Sequence, residues 1–225
     1  MWRAWNGDPT LLIALGLALL LVAAHGGRAA FGGWMVLVVA YVSPLCALSV
    51  GLFSARALHH LLLVAVAAPL LALALSRLET LRLPATAAFV IHAVALWFWH
   101  APAAYSAALG SDPVYWVMQF TILGSAIALW RAAFAAETGV ALAVLLGTTA
   151  HMGLLGALLL FAPAPLYLEH LVTTEAWGLS PLQDQQIAGL VMWVLAGLPY
   201  LGVAAAIGWR TASDPGAAAS MRDAR

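Results

Sequence analysis

The sequence IHAVALWFWHAP, at residues 91–102, combines two histidines and two tryptophans in an apolar segment that contains no charged residue. Ionisable side chains are costly inside a lipid bilayer, so a histidine in such a segment is by default a candidate functional residue. The alternative is structural: one histidine would hydrogen-bond to a neighbouring helix, and the other would lie at the headgroups beside the tryptophans. Histidines elsewhere in the chain favour the functional interpretation, because they can converge on the same side of a membrane.

The amino-acid composition is that of an integral membrane protein. Of the 225 residues, 64% are hydrophobic and 8% are charged, and the mean hydropathy is +0.98. A soluble domain of this length needs more polar surface, so we interpret almost the whole chain as membrane domain, surrounded by the lipid bilayer. The formal net charge is zero, which indicates neither nucleic acid nor an acidic partner.

Several classes of function lack the residues that they need. Cys46 is the single cysteine, so the chain has no CxxC pair for copper, zinc or redox chemistry. The chain has no lysine, which excludes a retinal Schiff base. It also has neither a GxSxG nor an HExxH motif, which are signatures of common hydrolases. We therefore expect a protein that is not an enzyme.

The apolar runs predict about seven transmembrane helices, because a spanning helix needs roughly 20 apolar residues. The predicted spans are residues 10–24, 33–53, 56–75, 84–101, 114–134, 139–161 and 185–209. The predicted fold is an all-α polytopic membrane helix bundle. It consists of one transmembrane domain at residues 1–210 and a short polar cytoplasmic tail at residues 211–225.

Prolines and glycines inside the spans predict local features of the bundle. Pro44 and Pro69 are each expected to kink a helix and to free a carbonyl, which neighbouring helices or water must then satisfy. Three glycines predict close helix contacts along the sixth span: Gly147, Gly153 and Gly156.

The positions of the arginines predict the orientation, because cytoplasmic loops of membrane proteins are enriched in basic residues. With the N-terminus outside, only Arg3 and Arg56 fall on the outer side of the predicted bundle. The remaining arginines are then cytoplasmic: Arg28, Arg77, Arg82, Arg131, Arg210, Arg222 and Arg225. We therefore predict an outer N-terminus and a cytoplasmic C-terminus.

Histidines from separate predicted spans fall at two depths. His92 and His100 are eight residues apart, so one helix separates them by roughly 12 Å along its axis and they cannot share a metal ion. Neutral imidazole binds copper, zinc, iron and nickel, while thioether sulfur favours Cu(I). The candidate ligands form an outer set, His60 and His100 with His59 or His170, and a deeper pair, His92 with His151. Three methionines lie within reach of these sets: Met118, Met152 and Met192.

Two further interpretations of the deeper pair are open. Histidines on facing helices can ligate a haem axially, as they do in other bundle cores. His92 and His151 could instead relay protons, with Asp184 at the mouth of the pathway. Of the accessory histidines, His59 is expected to lie at the membrane interface and His170 in an outer loop.

The sequence LSPLQDQQ, at residues 179–186, is dense in polar side chains and leads directly into the last span. A helix start explains Ser180 as N-cap, Pro181 at the first helical position and Asp184 through the helix dipole. It does not explain the neighbouring glutamines, which therefore indicate a built site: Gln183, Gln185 and Gln186.

Four stretches together resemble the CtaG-like membrane proteins, which are associated with the assembly of haem–copper cytochrome oxidases. FSARALHHLLL at residues 53–63 is similar to the histidine-bearing helix of that family. WHAPAAYSAAL at residues 99–109 is similar to its Trp-His-x-Pro-x-x-Tyr-x-x-Ala-Leu motif, and residues 151–167 resemble the segment that follows. PLQDQQIAGLVMW at residues 181–193 resembles its Asp-Gln-Gln signature, which is the most specific of these matches.

The resemblance implies a multi-pass protein of the bacterial inner (plasma) membrane that handles copper during assembly of a terminal oxidase. It implies metal ligands at His60, His100 and His151, with Asp184 as a supporting residue. The chain departs from the family pattern at two positions where many members have a histidine, because it has Arg56 and Gln119 there.

We therefore expect an assembly factor for a haem–copper cytochrome c oxidase that binds copper at the outer face of the membrane. Its expected partners are an oxidase subunit or a copper-donor protein, and a homo-oligomer is left open. The alternative is a haem-binding membrane redox protein with bis-histidine ligation, and a proton-coupled carrier is a third class. The accessory candidates around the metal ligands are His59, Asp184, Met152, Met192, His170 and Gln119.

Overall fold

Nine α-helices follow one another in the computed structural model, which describes residues 4–25, 27–77 and 83–213. Their bounds are α1 Pro9–His25, α2 Arg28–Val42, α3 Pro44–Gly51, α4 Phe53–Ala74, α5 Ala85–His100, α6 Pro102–Leu109, α7 Asp112–Ala135, α8 Thr138–Leu160 and α9 Pro181–Ala212. Short 3₁₀ turns occupy Leu75–Arg77, Leu168–His170 and Glu175–Trp177. No β-strand occurs in the described ranges, so the predicted all-α fold is confirmed.

Four of the helices are long and apolar enough to cross a membrane: α4, α7, α8 and α9. Two more candidate spans result if each bent pair counts as one, with α2 and α3 at 51° and α5 and α6 at 74°. The described residues thus contain four to six candidate spans by length and composition, where the sequence predicted seven. The predicted first span corresponds to α1, a helix of 17 residues that is shorter than these candidates.

The predicted orientation stays a prediction, and four of the arginines on which it rests lie outside the described residues: Arg3, Arg82, Arg222 and Arg225. Helix α9 extends to Ala212, so it includes the first residues of the predicted tail. Residues 214–225 of that tail lie outside the described part of the chain.

Helix α4 packs between α2, α7 and α9, and its middle turns are wider than an α-helix. The π-helical segment Leu62–Ala67 precedes Pro69, and the Val64 carbonyl within it faces two neighbouring helices. This carbonyl accepts hydrogen bonds from Trp130 Nε1 at 2.8 Å and from the Tyr200 hydroxyl at 3.1 Å. Neighbouring helices therefore satisfy a backbone carbonyl close to the proline, as expected for a membrane bundle.

Helices α8 and α9 meet backbone to backbone. A Cβ on Gly156 would lie 2.7 Å from the carbonyl oxygen of Gly189, and a Cβ on Gly189 would lie 2.6 Å from that of Gly156. Neither distance leaves room for a side chain, so the close contact predicted for Gly156 is confirmed. The contact brings the C-terminal half of α8 against the start of α9, where residues 161–180 connect the two helices.

We expect Gly156→Ala to lower the free energy of unfolding by about 1–3 kcal/mol, because the added methyl group meets backbone that cannot move aside. Gly124→Ala in α7 is the control, since a Cβ there has no heavy atom within 4 Å. It should be neutral or stabilising by up to about 1 kcal/mol, because alanine favours helix over glycine. Thermal unfolding of the detergent-solubilised proteins measures both, and equal midpoints for the two variants would contradict the packing described above.

Candidate functional site

One end of the bundle gathers six aromatic side chains from α4, α5, α6 and the connection between α8 and α9. We call them the His–Tyr cluster: Phe53, His60, His100, Tyr105, Tyr167 and His170. At its centre the ring centroids of His60 and His100 are 6.3 Å apart, with the rings roughly perpendicular. Both histidines are buried, at 6% and 8% exposure. The two residues that the sequence grouped as outer ligands therefore lie side by side.

The hydrogen bonds of these two histidines define which ring nitrogens are available. His100 Nδ1 lies 2.7 Å from the carbonyl oxygen of Leu96. Because a carbonyl only accepts, Nδ1 carries the proton and Nε2 keeps a lone pair. His60 Nε2 is buried and has no hydrogen-bond partner among the described residues. Each histidine thus offers an imidazole nitrogen that can coordinate a metal.

Phe53 and Tyr167 support His100 from the side of the loop. The ring of Phe53 lies 4.1 Å from that of Tyr167 and 6.4 Å from that of His100, measured between centroids. The Tyr167 hydroxyl donates to the backbone carbonyl of His100 at 2.8 Å. This bond satisfies a carbonyl at the bend between α5 and α6, so it stabilises the position of the imidazole.

His170 anchors the connecting loop to the cluster. Its Nε2 lies 2.7 Å from the Tyr105 hydroxyl, and its Nδ1 lies 3.4 Å from the carbonyl oxygen of Gly51. Nδ1 therefore donates and Nε2 accepts. Burial lowers the pKa of His170 below its usual value despite the opposing effects of Asp184 and the Gly51 carbonyl, which favours this neutral form. A metal could bind Nε2 only by displacing Tyr105.

Asp184 joins the first turn of α9 to the first turn of α4. It is fully buried, and one carboxylate oxygen, Oδ2, accepts from the backbone N–H of Phe53 at 2.6 Å. Oδ1 accepts from the backbone N–H of Ser54 at 3.2 Å and from the Ser54 hydroxyl. The sequence related Asp184 to the dipole of its own helix, whereas its hydrogen bonds cap a different helix. Asp184 therefore holds the start of α4, the helix that presents His60.

Two of the three glutamines that a simple helix start left unexplained, Gln183 and Gln185, have specific partners. Gln183 forms a capping box with Ser180, whose hydroxyl accepts from the Gln183 N–H at 3.2 Å. Gln185 accepts from the Leu166 N–H at 2.7 Å and donates to the Leu159 carbonyl at 3.1 Å. Gln185 thus ties α9 to the end of α8 and to the loop that contributes Tyr167 and His170.

The deeper pair is separate from the His–Tyr cluster. His92 Nδ1 lies 3.0 Å from Ser125 Oγ, and the Ser125 hydroxyl donates to the Ile122 carbonyl at 3.1 Å. Since that hydroxyl proton is already used, His92 Nδ1 is the donor, which leaves Nε2 with a lone pair and without a described partner. Both ring nitrogens of His151 also lack partners in the described part of the chain, and His151 is close enough to His92 for electrostatic interaction.

The accessory residues lie in several different parts of the bundle. His59 is fully buried, and its ring lies 5.1 Å from that of Tyr41 between centroids, while its predicted position at the membrane interface stays a prediction. Gln119 is buried nearby, and its Oε1 accepts from the Tyr41 hydroxyl at 3.2 Å. Met192 packs in the hydrophobic cluster that contains Phe53 and Tyr167, while Met118 and Met152 belong to the main core.

Two parts of this site were missed by the sequence analysis. Tyr105 and Tyr167 lie in stretches that carry the family resemblance, at residues 99–109 and 151–167, but neither was predicted as a site residue. Arg56 was used only for the topology and as a departure from the family pattern, although an arginine inside an apolar run is itself a signal of function. No group of three or more histidine, cysteine, aspartate or glutamate side chains is arranged to hold a metal within the described ranges.

The comparison with known families agrees with the motifs around these residues. A family described as cytochrome c oxidase caa3 assembly factor matches residues 21–214. The chain belongs to this family. No match is found among curated proteins or among solved structures. As a member of the caa3 assembly factor family, the chain has a role in cytochrome c oxidase assembly, which implies interaction with an oxidase and fits the apolar helices of a membrane protein.

In this caa3 assembly factor, Asp184→Ala should lower the free energy of unfolding by about 1–3 kcal/mol, because it leaves the Phe53 N–H buried without an acceptor. Asp184→Asn should cost less, since the amide oxygen can still accept one of these hydrogen bonds. Glu175→Ala is the control, because Glu175 is an exposed acidic residue of the preceding loop. Its effect should stay within about 0.5 kcal/mol. Thermal unfolding tests this, and a loss in Glu175→Ala as large as in Asp184→Ala would refute the capping role.

Proposed function

We propose that this chain is a non-enzymatic assembly factor that holds a copper ion between His60 and His100 and passes it to an oxidase subunit. Copper is here the cargo of the protein rather than a resident cofactor. One observation supports the proposal above all: two buried imidazoles from different helices lie 6.3 Å apart between centroids, and each has an Nε2 able to coordinate.

The small number of donors favours Cu(I) as the bound species. Bonds from a metal to imidazole nitrogen are about 2.0 Å long, so one ion can bridge two rings at a separation of this order. A structural zinc site needs four ligands, whereas the described residues offer no group of three histidine, cysteine or carboxylate donors. Cu(I) has a filled d shell and accepts two-coordinate sites. Met192 packs in the same hydrophobic cluster as Phe53 and could add a thioether, which also suits Cu(I).

The surroundings of the two histidines suit transfer as well as binding. An ion with two protein ligands keeps coordination positions open, so an acceptor protein can attack it before the first bonds break. Leu96 and Asp184 support the site indirectly: Leu96 sets the proton on His100, and Asp184 holds the helix that presents His60. In the predicted orientation the His–Tyr cluster faces the outer side of the membrane, where an oxidase subunit or a copper donor could reach it.

Copper binding by the full-length protein tests this proposal. Protein purified anaerobically and equilibrated with chelator-buffered Cu(I) should retain about one copper ion per chain by mass spectrometry of the metal, since its two free imidazole nitrogens provide one site. The double variant His60→Ala, His100→Ala should retain almost none. The double variant His92→Ala, His151→Ala is the matched control, because it removes two histidines at another depth, and it should retain copper. Equal copper in both double variants would refute the proposed site.

The deeper pair favours a second candidate function, a haem-binding membrane redox protein. His92 Nε2 and both nitrogens of His151 lack hydrogen-bond partners among the described residues, as axial ligands of an iron would. Bound haem would supply one-electron chemistry, and the two histidines would orient it within the bundle. The fit is limited to the ligands, because neither of the two cavities seen at the bundle surface is lined by His92 or His151.

An optical spectrum of the protein from haem-replete cells distinguishes this candidate. Under the copper proposal we expect no Soret band, and no change on His92→Ala or His151→Ala. A Soret band in the wild type that disappears in either variant, but persists in His60→Ala, would favour the haem function instead, because iron would then depend on the deeper ligands alone.

A further inference from the structure

Arg56 is a buried cation whose guanidinium is only partly satisfied. The side chain is 1% exposed, and its Nε donates to the Ser49 carbonyl at 2.9 Å. Its guanidinium carbon lies 5.5 Å from the ring centroid of Tyr105 and 5.7 Å from that of Tyr115. Nη1 and Nη2 have no hydrogen-bond partner in the described part of the chain. Arginine is always protonated in proteins, so a full positive charge with free N–H donors is buried here.

Other unpaired N–H donors lie on the helix faces of α4 and α7 that carry Arg56 and Tyr115. His59 lies one turn after Arg56 on α4, and Gln119 lies one turn after Tyr115 on α7, so each pair shares a helix face. Tyr41 links the two faces, because its ring contacts His59 and its hydroxyl donates to Gln119 Oε1. Gln119 Nε2 and both ring nitrogens of His59 lack partners among the described residues. The unpaired atoms between α4 and α7 are thus mainly N–H donors around one cation.

Neither nearby carboxylate forms a direct ion pair with the Arg56 guanidinium. Asp184 directs its oxygens to the backbone of Phe53 and to Ser54, at the start of α4. Glu169 accepts a hydrogen bond from the Ser106 hydroxyl through Oε1, and its Oε2 lacks a described partner. Neither carboxylate accepts a hydrogen bond from Arg56 Nη1 or Nη2. A buried ion without a counter-charge is strongly unfavourable, whereas water could satisfy the donors but not the charge.

We propose that Arg56, Gln119 and His59 form a binding site for one small monovalent anion, of the size of chloride or formate. The guanidinium supplies the counter-charge and a fork of two nitrogens, which matches a carboxylate or a halide. Gln119 and His59 supply further N–H donors from a second helix and from the next turn. The ligand is small because all three side chains are at most 1% exposed. This site does not depend on copper at His60 and His100.

Thermal unfolding of the full-length protein in non-ionic detergent tests the site, with sodium gluconate replaced stepwise by sodium chloride or sodium formate at constant ionic strength. Gluconate is a carboxylate too large for such a buried site, so it holds ionic strength without filling the site. In the wild type, the midpoint should rise saturably by at least about 2 °C with chloride, formate or both, because a ligand that binds only the folded state stabilises it. Comparing the two series identifies which anion binds better.

Three variants test whether the effect of the anion depends on Arg56 and Gln119. Arg56→Met should abolish the rise, and in gluconate alone it should unfold at a higher temperature than the wild type, because it removes an unpaired buried charge. Arg28→Met is the matched control, since Arg28 is an exposed arginine at the start of α2, and it should keep the wild-type response. Gln119→Leu should shift the half-maximal response to a higher anion concentration.

A measurement on the wild type alone tests the proposal even if a variant does not fold. The chlorine-35 NMR signal should broaden on addition of the protein and should narrow again when formate competes. A midpoint that stays flat in both the chloride and the formate series, together with unbroadened chloride, would overturn the proposal. A loss of the rise in Arg28→Met equal to that in Arg56→Met would also overturn it. An equal rise in the wild type and in Arg56→Met would also overturn it, because the response would then be a general salt effect.

Discussion

A buried carboxylate joins the two helices on which the His–Tyr cluster depends. The first N–H groups of a helix have no partner within the helix and carry partial positive charge, which attracts anions. Asp184, on the first turn of α9, provides that anion for the start of α4 through the backbone N–H groups of Phe53 and Ser54. In an apolar surrounding neither partner could be buried alone without a large cost. This mutual requirement holds α4 and α9 in one relative position, and His60 comes to lie beside His100 as a result.

Within the described residues, buried polar atoms without hydrogen-bond partners are concentrated in the N-terminal parts of α4 and α7 and at the deeper histidine pair. Backbone groups that the prolines disturb find partners, as Val64 does with Trp130 and Tyr200. In contrast, imidazole nitrogens of His60, His92 and His151 have no described partner. Buried polar groups in native proteins are almost always paired with protein or ordered water, so these nitrogens are the ones still able to bind a further partner. This pattern separates residues whose hydrogen bonds stabilise the bundle, such as Asp184, Gln185 and His170, from residues whose polar atoms can still bind a further partner.

Much of the architecture could be predicted from local patterns. Long apolar runs predicted the helices α4, α7, α8 and α9 to within a few residues, and Pro44 predicted the bend after α2. The Gly156 contact followed from the preference of membrane helices for small residues where they approach closely. The pairing of His60 with His100 could also be predicted, because both lie near the same end of neighbouring spans. The burial of His59 could not be predicted, since a residue at the edge of a span can face either lipid or protein.

The sequence by itself determined that the chain is all-α and that it has too few charged residues for a water-exposed surface. It also determined at which position along each helix the ionisable residues lie. The position of a side chain along the helix axis follows from its residue number, because each residue advances a helix by a constant rise. Only the tertiary structure decided which of these residues lie next to one another on neighbouring helices. It directed Asp184 to a helix 130 residues away in the chain, placed His170 against Tyr105 and the Gly51 carbonyl, and left Arg56 Nη1 and Nη2 without a hydrogen-bond partner among the described residues. Those outcomes depend on the rotation of each helix about its axis, which distant packing contacts such as Gly156 with Gly189 select and no local pattern encodes.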